Sequence, residues 1–380
     1  MASAFLLFGF NNAATSALPE YVMALGGGPF LAGAQNSLFV LLAVVLRLFF
    51  GPLADRIGGK RMLILGAAGF CIPCAVLPFC HTLAAVVGLR LLQCVGLAAY
   101  HPNVSLYLAE HSTKAQLPVR ISITRFASTA SLMVVPAALF PLIGSVGYGP
   151  FFFALTFVGF AGLLLLLPLP SFANEESEEA AQANLASAEE QAAAATPPLL
   201  LSAAIAMPAL LACGYSVLLV FGPSFVLSLM PTVNNGLLLT AISLGGLVGS
   251  LAAAPLVRWG GIGHGAALST LVFAAGVALM LLGPWGLPPV MAGGALAGFG
   301  YFGTITMLNA FLGIAASKEN TGATFSKQQS FLDAGMITGS FVAGAMLQAG
   351  LGYSMVLGCM AAVLAAGALA WLYVGQRVIR

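Results

Sequence analysis

The chain has 380 residues, 60% of them hydrophobic and only 6% charged, with a formal net charge of +2 and a mean hydropathy of +1.02. A soluble domain carries about 25% charged residues, so thirteen Lys and Arg with eleven Asp and Glu cannot cover a water-soluble globule, and the solvent for most of the surface is lipid. The small net charge, with no basic run longer than Lys60-Arg61, argues against a nucleic-acid partner.

Helical spans need roughly 20 apolar residues each, whereas transmembrane strands need about 10 alternating ones. Unbroken runs such as Phe151 to Leu167 therefore predict helices. Division at Gly, Pro and charge clusters gives twelve of them, over residues 3–25, 30–54, 62–80, 84–108, 118–142, 148–169, 198–229, 234–257, 264–284, 287–314, 322–349 and 352–375. The first opens on Ala4-Phe5-Leu6-Leu7 without a charged leader or a cleavage site, so it reads as a span rather than a removed signal. Between the sixth and seventh, Ser171 to Pro198 carries Glu175, Glu176, Glu178, Glu179, Glu189 and Glu190 among Ala, Ser, Asn and Gln. Such a stretch has no apolar face to bury and reads as a linker. The expected organisation is an N-terminal six-helix half (1–170), an acidic cytoplasmic linker (171–197) and a C-terminal six-helix half (198–380).

Arg56, Lys60, Arg61, Lys114, Arg120, Arg258, Lys318, Arg377 and Arg380 all fall on one side of this arrangement, and the opposite loops hold no Lys or Arg. The positive-inside rule then puts both termini and the linker in the cytoplasm, with the chain in a bacterial-type inner membrane. Pro52-Leu53-Ala54-Asp55-Arg56-Ile57-Gly58-Gly59 after span two recurs as Pro255-Leu256-Val257-Arg258-Trp259-Gly260-Gly261 after span eight, with one position missing. That is the mark of a duplicated unit. Parallel repeats of this kind hold a solute between the halves near mid-membrane and work by rocking about it, which favours a transporter over a membrane enzyme or scaffold. One chain supplies both halves, so a monomer suffices mechanically.

Gly51-Pro-Leu-Ala-Asp55-Arg56-Ile-Gly58-Gly-Lys60-Arg61, between spans two and three, resembles the loop signature of the major facilitator superfamily, G-x-L-a-D-r-x-G-r-K/R. Arg90-Leu-Leu-Gln93-Cys-Val-Gly96 in span four is similar to the family's R-x-x-q-g-x-g pattern. Leu18-Pro19-Glu20-Tyr21-Val22 and the stretch from Gly322 to Gly335 resemble its small-solute efflux branches. Span five departs from the antiporter branches: Ala130 to Ala138 keeps Pro136 and small residues but none of their glycines. The resemblance implies an all-α membrane fold of two pseudo-symmetric six-helix bundles and a gradient-driven transporter. It also implies that Gly51, Asp55, Arg56, Gly58, Lys60 and Arg61 form a gating loop, with Asp55 a latch made in one access state and broken in the other. Arg90 is implied as a network residue that influences proton transfer.

Ionisable side chains inside spans are expensive in hydrocarbon and by default face a cavity or a partner. Asp333, about eleven residues into span eleven, is the first candidate proton carrier, because competition between desolvation and a cation such as Lys327 or Arg125 decides whether its carboxyl holds a proton. Glu20, near the outer end of span one, and His101 in span four are further candidates for the proton path. Arg125 and Lys327 sit at similar depth in spans five and eleven, equivalent helices of the two halves. A cation from each half would suit an anionic solute, Arg as a planar two-point donor and Lys as a movable point charge; the alternative is that both snorkel to the cytoplasmic face. Asn11, Asn12, Asn309, Gln328 and Gln329 are candidate solute contacts, with ring surface from Tyr215 and Tyr301, and helix–helix hydrogen bonding is their competing role. Gly245-x-x-x-Gly249, Gly294-x-x-x-Gly298 and Gly335-x-x-x-Gly339 read as close-packing faces.

The six cysteines lie in or beside apolar segments and read as packing residues. His81 with Cys80 is too sparse for a metal site, and no Walker loop is present, so neither metal nor cofactor is expected. The function expected is secondary active transport of a small organic solute by alternating access, with protons and the lipid bilayer as the other partners. Export by proton antiport stands ahead of proton-linked uptake, or exchange, of an organic anion through Arg125 and Lys327. A non-transporting receptor or scaffold that kept the fold is the remote alternative.

Overall fold

The computed structural model describes residues 1–112, 116–170, 198–315 and 321–379. The linker 171–197, Lys114, Lys318 and Arg380 lie outside the described residues, as do the side chains of Asp55, Glu110 and Arg377. The regular structure among the described residues is helical throughout. In chain order the helices are α1 (Ala2–Ala24), α2 (Pro29–Ile57), α3 (Gly59–Val76), α4 (Leu83–Leu92), α5 (Cys94–Glu110), α6 (Leu117–Val146) and α7 (Tyr148–Leu164). After the linker come α8 (Pro198–Ala206), α9 (Pro208–Leu229), α10 (Gly236–Met280), α11 (Leu287–Ala315), α12 (Thr321–Gln348) and α13 (Tyr353–Ile379).

Among the described residues these helices make twelve spans. Leu83–Leu108 is one crossing built from α4 and α5, and Leu199–Leu229 is one built from α8 and α9. The second break has a covalent cause, since Pro208 has no N–H to donate and its ring crowds the turn before it. Conversely α10 is two spans in one continuous run, interrupted only at Gly261 (φ 70°, ψ 175°). A loop was expected at 258–263; instead a single glycine, in a conformation that a side chain would oppose, separates spans eight and nine. Gly58 does the same between α2 and α3, with φ 82° and its N–H on the Ala54 carbonyl at 2.9 Å.

The chain divides into two compact units, Met1–Ser187 and Ala188–Arg380. In the first, small residues let backbones meet: a Cβ on Gly66 would sit 2.5 Å from the Tyr100 nitrogen, and one on Gly69 would sit 2.8 Å from the Gly96 nitrogen, which locks α3 to α5. In the second, Gly245 and Gly249 of α10 lie on the carbonyls of Ala295 and Phe299, and Gly298 of α11 lies on that of Ile242. Gly335 and Gly339 of α12 lie likewise on Ala209 and Cys213 of α9. Without a hydrophobic gain between helices in lipid, such close backbone approach supplies the association energy. The outer surface is apolar, as lipid requires: Phe157 is 75% exposed and Leu251 80%.

Candidate functional site

In the first unit the polar centre is Arg90, in the last turn of α4 and 1% exposed. Its Nη1 donates to Oε1 of Gln93 at 2.9 Å, and its Nη2 to Oγ1 of Thr15 at 2.8 Å and Oδ1 of Asn36 at 3.4 Å. The guanidinium carbon lies 3.6 Å from the ring centroid of Phe39. One side chain thus ties α4 to α1 and α2. All these partners are neutral, so the charge is held by charge-assisted hydrogen bonds of about 1.5–3 kcal/mol each and a ring face worth about 2 kcal/mol when desolvated. Sequence reading selected Arg90 and missed Thr15, Asn36 and Phe39; polar residues at mid-span in α1 and α2 were the available signal.

His101 of α5 is enclosed by aromatic rings, with centroid distances of 4.7 Å to Phe8, 6.2 Å to Phe70 and 6.4 Å to Tyr100, and its Nε2 has no hydrogen-bond partner among the described residues. Asn11 is buried and its Oδ1 is likewise unpartnered among them, while Asn12, one position on, is half-buried. Glu20 is buried in α1. Beside it the Tyr21 hydroxyl donates to the Cys80 carbonyl at 2.7 Å, and its ring lies 4.7 Å from that of Tyr148. Arg125 is exposed on α6.

In the loop signature, Gly51, Arg56 and Arg61 are exposed. Lys60 instead reaches the end of α7, donating from Nζ to the carbonyls of Leu167 at 3.0 Å and Leu169 at 2.5 Å. A cation there meets the negative end of a helix dipole as well as open carbonyls.

The second unit has an aromatic and acidic centre. Tyr215 of α9 and Tyr301 of α11 stack with centroids 4.1 Å apart and planes 5° from parallel. Phe302 meets Tyr215 edge-on at 5.7 Å, and Phe273 meets Tyr301 at 6.1 Å. Asp333 of α12 is 5% exposed, lies within electrostatic range of Tyr301, and accepts from Nε2 of Gln329 at 3.1 Å. Gln328 is buried, Lys327 is exposed and Asn309 is half-buried. The fold therefore gathers Tyr215, Tyr301 and Asp333, contributed by three helices, into one cluster. Gln329 joins it through the one-turn spacing that brings i and i+4 together on a helix.

Apolar helical spans in two compact units, with ionisable side chains buried inside both, define a helical membrane protein. The sequence matches the family model of the Major Facilitator Superfamily over residues 1–326; the chain belongs to that superfamily and is a membrane transporter. No curated protein matches it in sequence. Among solved structures it is similar to a point mutant of the nucleoside transporter NupG, with a TM-score of 0.74 and 15% identity, covering 100% of this chain and 98% of that one. It is also similar to a point mutant of the peptide transporter POT, with a TM-score of 0.77 and 12% identity, covering 99% and 93%, and to a POT family transporter in complex with a thioalcohol-conjugated peptide, with 0.75 and 12%, covering 100% and 96%. At such identities the likeness is one of fold.

Proposed function

We propose that this transporter is proton-coupled, exports a small organic solute by antiport, and uses Asp333 as its proton carrier. Asp333 carries the reading: a carboxyl 5% exposed within an apolar span, beside Tyr301 and held by the neutral donor Gln329. The Gln329 amide is compatible with either charge state of the carboxyl, because an amide can donate to the ion and accept from the acid. A proton and a solute donor would then compete for the same two oxygens, the elementary requirement for exchange. Glu20 and His101 are further stations for the proton, and Arg90 is a fixed charge that biases the path. Asn11, Asn12, Asn309, Gln328, Tyr215 and Tyr301 are the proposed solute contacts. Residues 1–170 and 198–380 act as the two rocking halves of a monomer in an inner membrane with cytoplasmic termini, and Asp55 serves as the gate latch.

A second reading, uptake or exchange of an organic anion, is favoured by Arg125 and Lys327, both exposed and both within the spans. One experiment separates them. Proteoliposomes of the purified protein with an internal pH dye are challenged with organic anions, amphiphilic cations and neutral nucleosides or sugars, comparing wild type with Asp333→Asn. Solute-driven proton movement out of phase with the solute and abolished by Asp333→Asn is expected. Solute flux without proton movement refutes coupling, and anion flux lost in Arg125→Gln and Lys327→Gln selects the second reading.

A further inference from the structure

The first unit holds a half-open cavity of about 550 Å³ at the end of the bundle where α1 and α6 begin and α5 and α7 finish. That volume lies in the range of small-molecule pockets, roughly 300–1,000 Å³. Leu63, Val104, Leu108 and Leu166 form an apolar wall, and Tyr107, His111 and Arg120 form a polar end. We propose that this cavity binds an amphiphile with a single anionic head group, at a site separate from the transported solute.

Arg120 is the anchor. Its Nη1 is pinned by the His111 carbonyl at 2.7 Å and the Ser112 hydroxyl at 3.1 Å. His111 is itself stacked on Tyr107 at 4.1 Å and 24°. Arg120 lines the cavity, and a guanidinium fixed at Nη1 has further N–H donors in a planar fork suited to two-point contact with a carboxylate or phosphate. Arg120 also stands in the first turn of α6, whose open N–H groups and dipole favour the same sign of ligand. A fully hydrated small anion would gain nothing from the leucine wall, whereas an acyl or aryl chain laid on it leaves water. All the lining residues belong to one unit.

The test is equilibrium binding to the purified full-length protein in neutral detergent, with oleate and its uncharged analogue monoolein as probes. Arg120→Gln is expected to weaken oleate about 10–100-fold, the range for a charge-assisted contact, and to leave monoolein within about twofold. Arg120→Lys, which keeps the charge without the fork, is expected to lose about tenfold for oleate. Val104→Trp, which fills the apolar end, is expected to weaken both probes, and it keeps the proposal at risk should Arg120→Gln disturb the turn it pins. Mass spectrometry of extracted lipid separates the sources. A diacyl anionic phospholipid that co-purifies with wild type and is depleted in both variants identifies the leaflet as the source, and oleate binding without such a lipid identifies a free amphiphile. Equal oleate affinity in wild type, Arg120→Gln and Val104→Trp overturns the proposal.

Discussion

Gly335→Ala tests whether the α9–α12 contact is as tight as its geometry requires. A methyl group on Gly335 would fall on the backbone carbonyl of Ala209, and no rotamer change can move a backbone oxygen aside. The comparison is Gly358→Ala in α13, where the added Cβ meets nothing within 4 Å. Each substitution gains about 1 kcal/mol of helix propensity, and that gain cancels between them. What remains is the overpacking cost, about 1–3 kcal/mol, so Gly335→Ala is expected to be less stable than Gly358→Ala by that amount. Equilibrium unfolding in mixed detergent micelles measures the difference. Two residues before Gly335 stands Asp333, so displacing α12 from α9 also displaces the carboxyl from the Tyr215–Tyr301 pair, and solute-driven proton movement should fall in Gly335→Ala while Gly358→Ala keeps it. Equal stabilities for the two variants would refute the packing argument.

Lys60→Met removes both contacts to the Leu167 and Leu169 carbonyls; because the site is partly open to solvent, the expected loss is about 1 kcal/mol rather than the sum of two charged hydrogen bonds, and Lys60→Arg should recover most of it. Arg90→Lys cannot serve Gln93, Thr15 and Asn36 together and gives up the stacked guanidinium over Phe39, so it should cost about 2–4 kcal/mol in the same unfolding assay. Phe39→Leu removes only the ring face and should cost about 1–2 kcal/mol. A wild-type stability for Arg90→Lys would show that the guanidinium network does not hold α1, α2 and α4 together.

The span pattern was readable because lipid punishes every unpaired backbone group, so helices follow directly from apolar length. The expected boundaries 30–54, 84–108 and 198–229 differ by only a residue or so from Pro29–Ala54, Leu83–Leu108 and Leu199–Leu229. Breaks within spans were harder. Pro208 announces one, but the interruption at Gln93 has no proline, and at Gly261 one glycine replaces the loop that the Arg258–Gly261 cluster suggested. Among the site residues, Asp333 stood out as an ionisable group in an apolar run and Arg90 through its resemblance to the span-four pattern, while the same apolar-run criterion also picked Arg125 and Lys327, which are exposed. Their partners were not readable in the same way. Thr15 and Asn36 reach Arg90 across 75 and 54 positions, and no periodicity in one helix records such a pairing. Gln329 reads from sequence as a candidate solute contact, and its spacing of one helical turn from Asp333 is the signal for the bond it makes there.

Two of the buried ionisable groups, Arg90 and Asp333, differ in what their surroundings allow. Arginine keeps its proton in proteins, and Arg90 is further committed through three neutral acceptors and a ring, so its charge is a constant of the first unit. Asp333 is proposed as the opposite case: a carboxyl has two charge states, the Gln329 amide can donate to one and accept from the other, and Asp333 stands on a helix whose Gly335 and Gly339 lie on the backbone of α9. Close-packed small residues make a contact that gains or loses many atom pairs for a small displacement, so a change of charge at Asp333, on the proposed reading, would act beside such a contact. On the proposed reading, coupling protonation to helix movement needs no long relay, because the Asp333 carboxyl and the close-packed Gly335 are two residues apart on one helix.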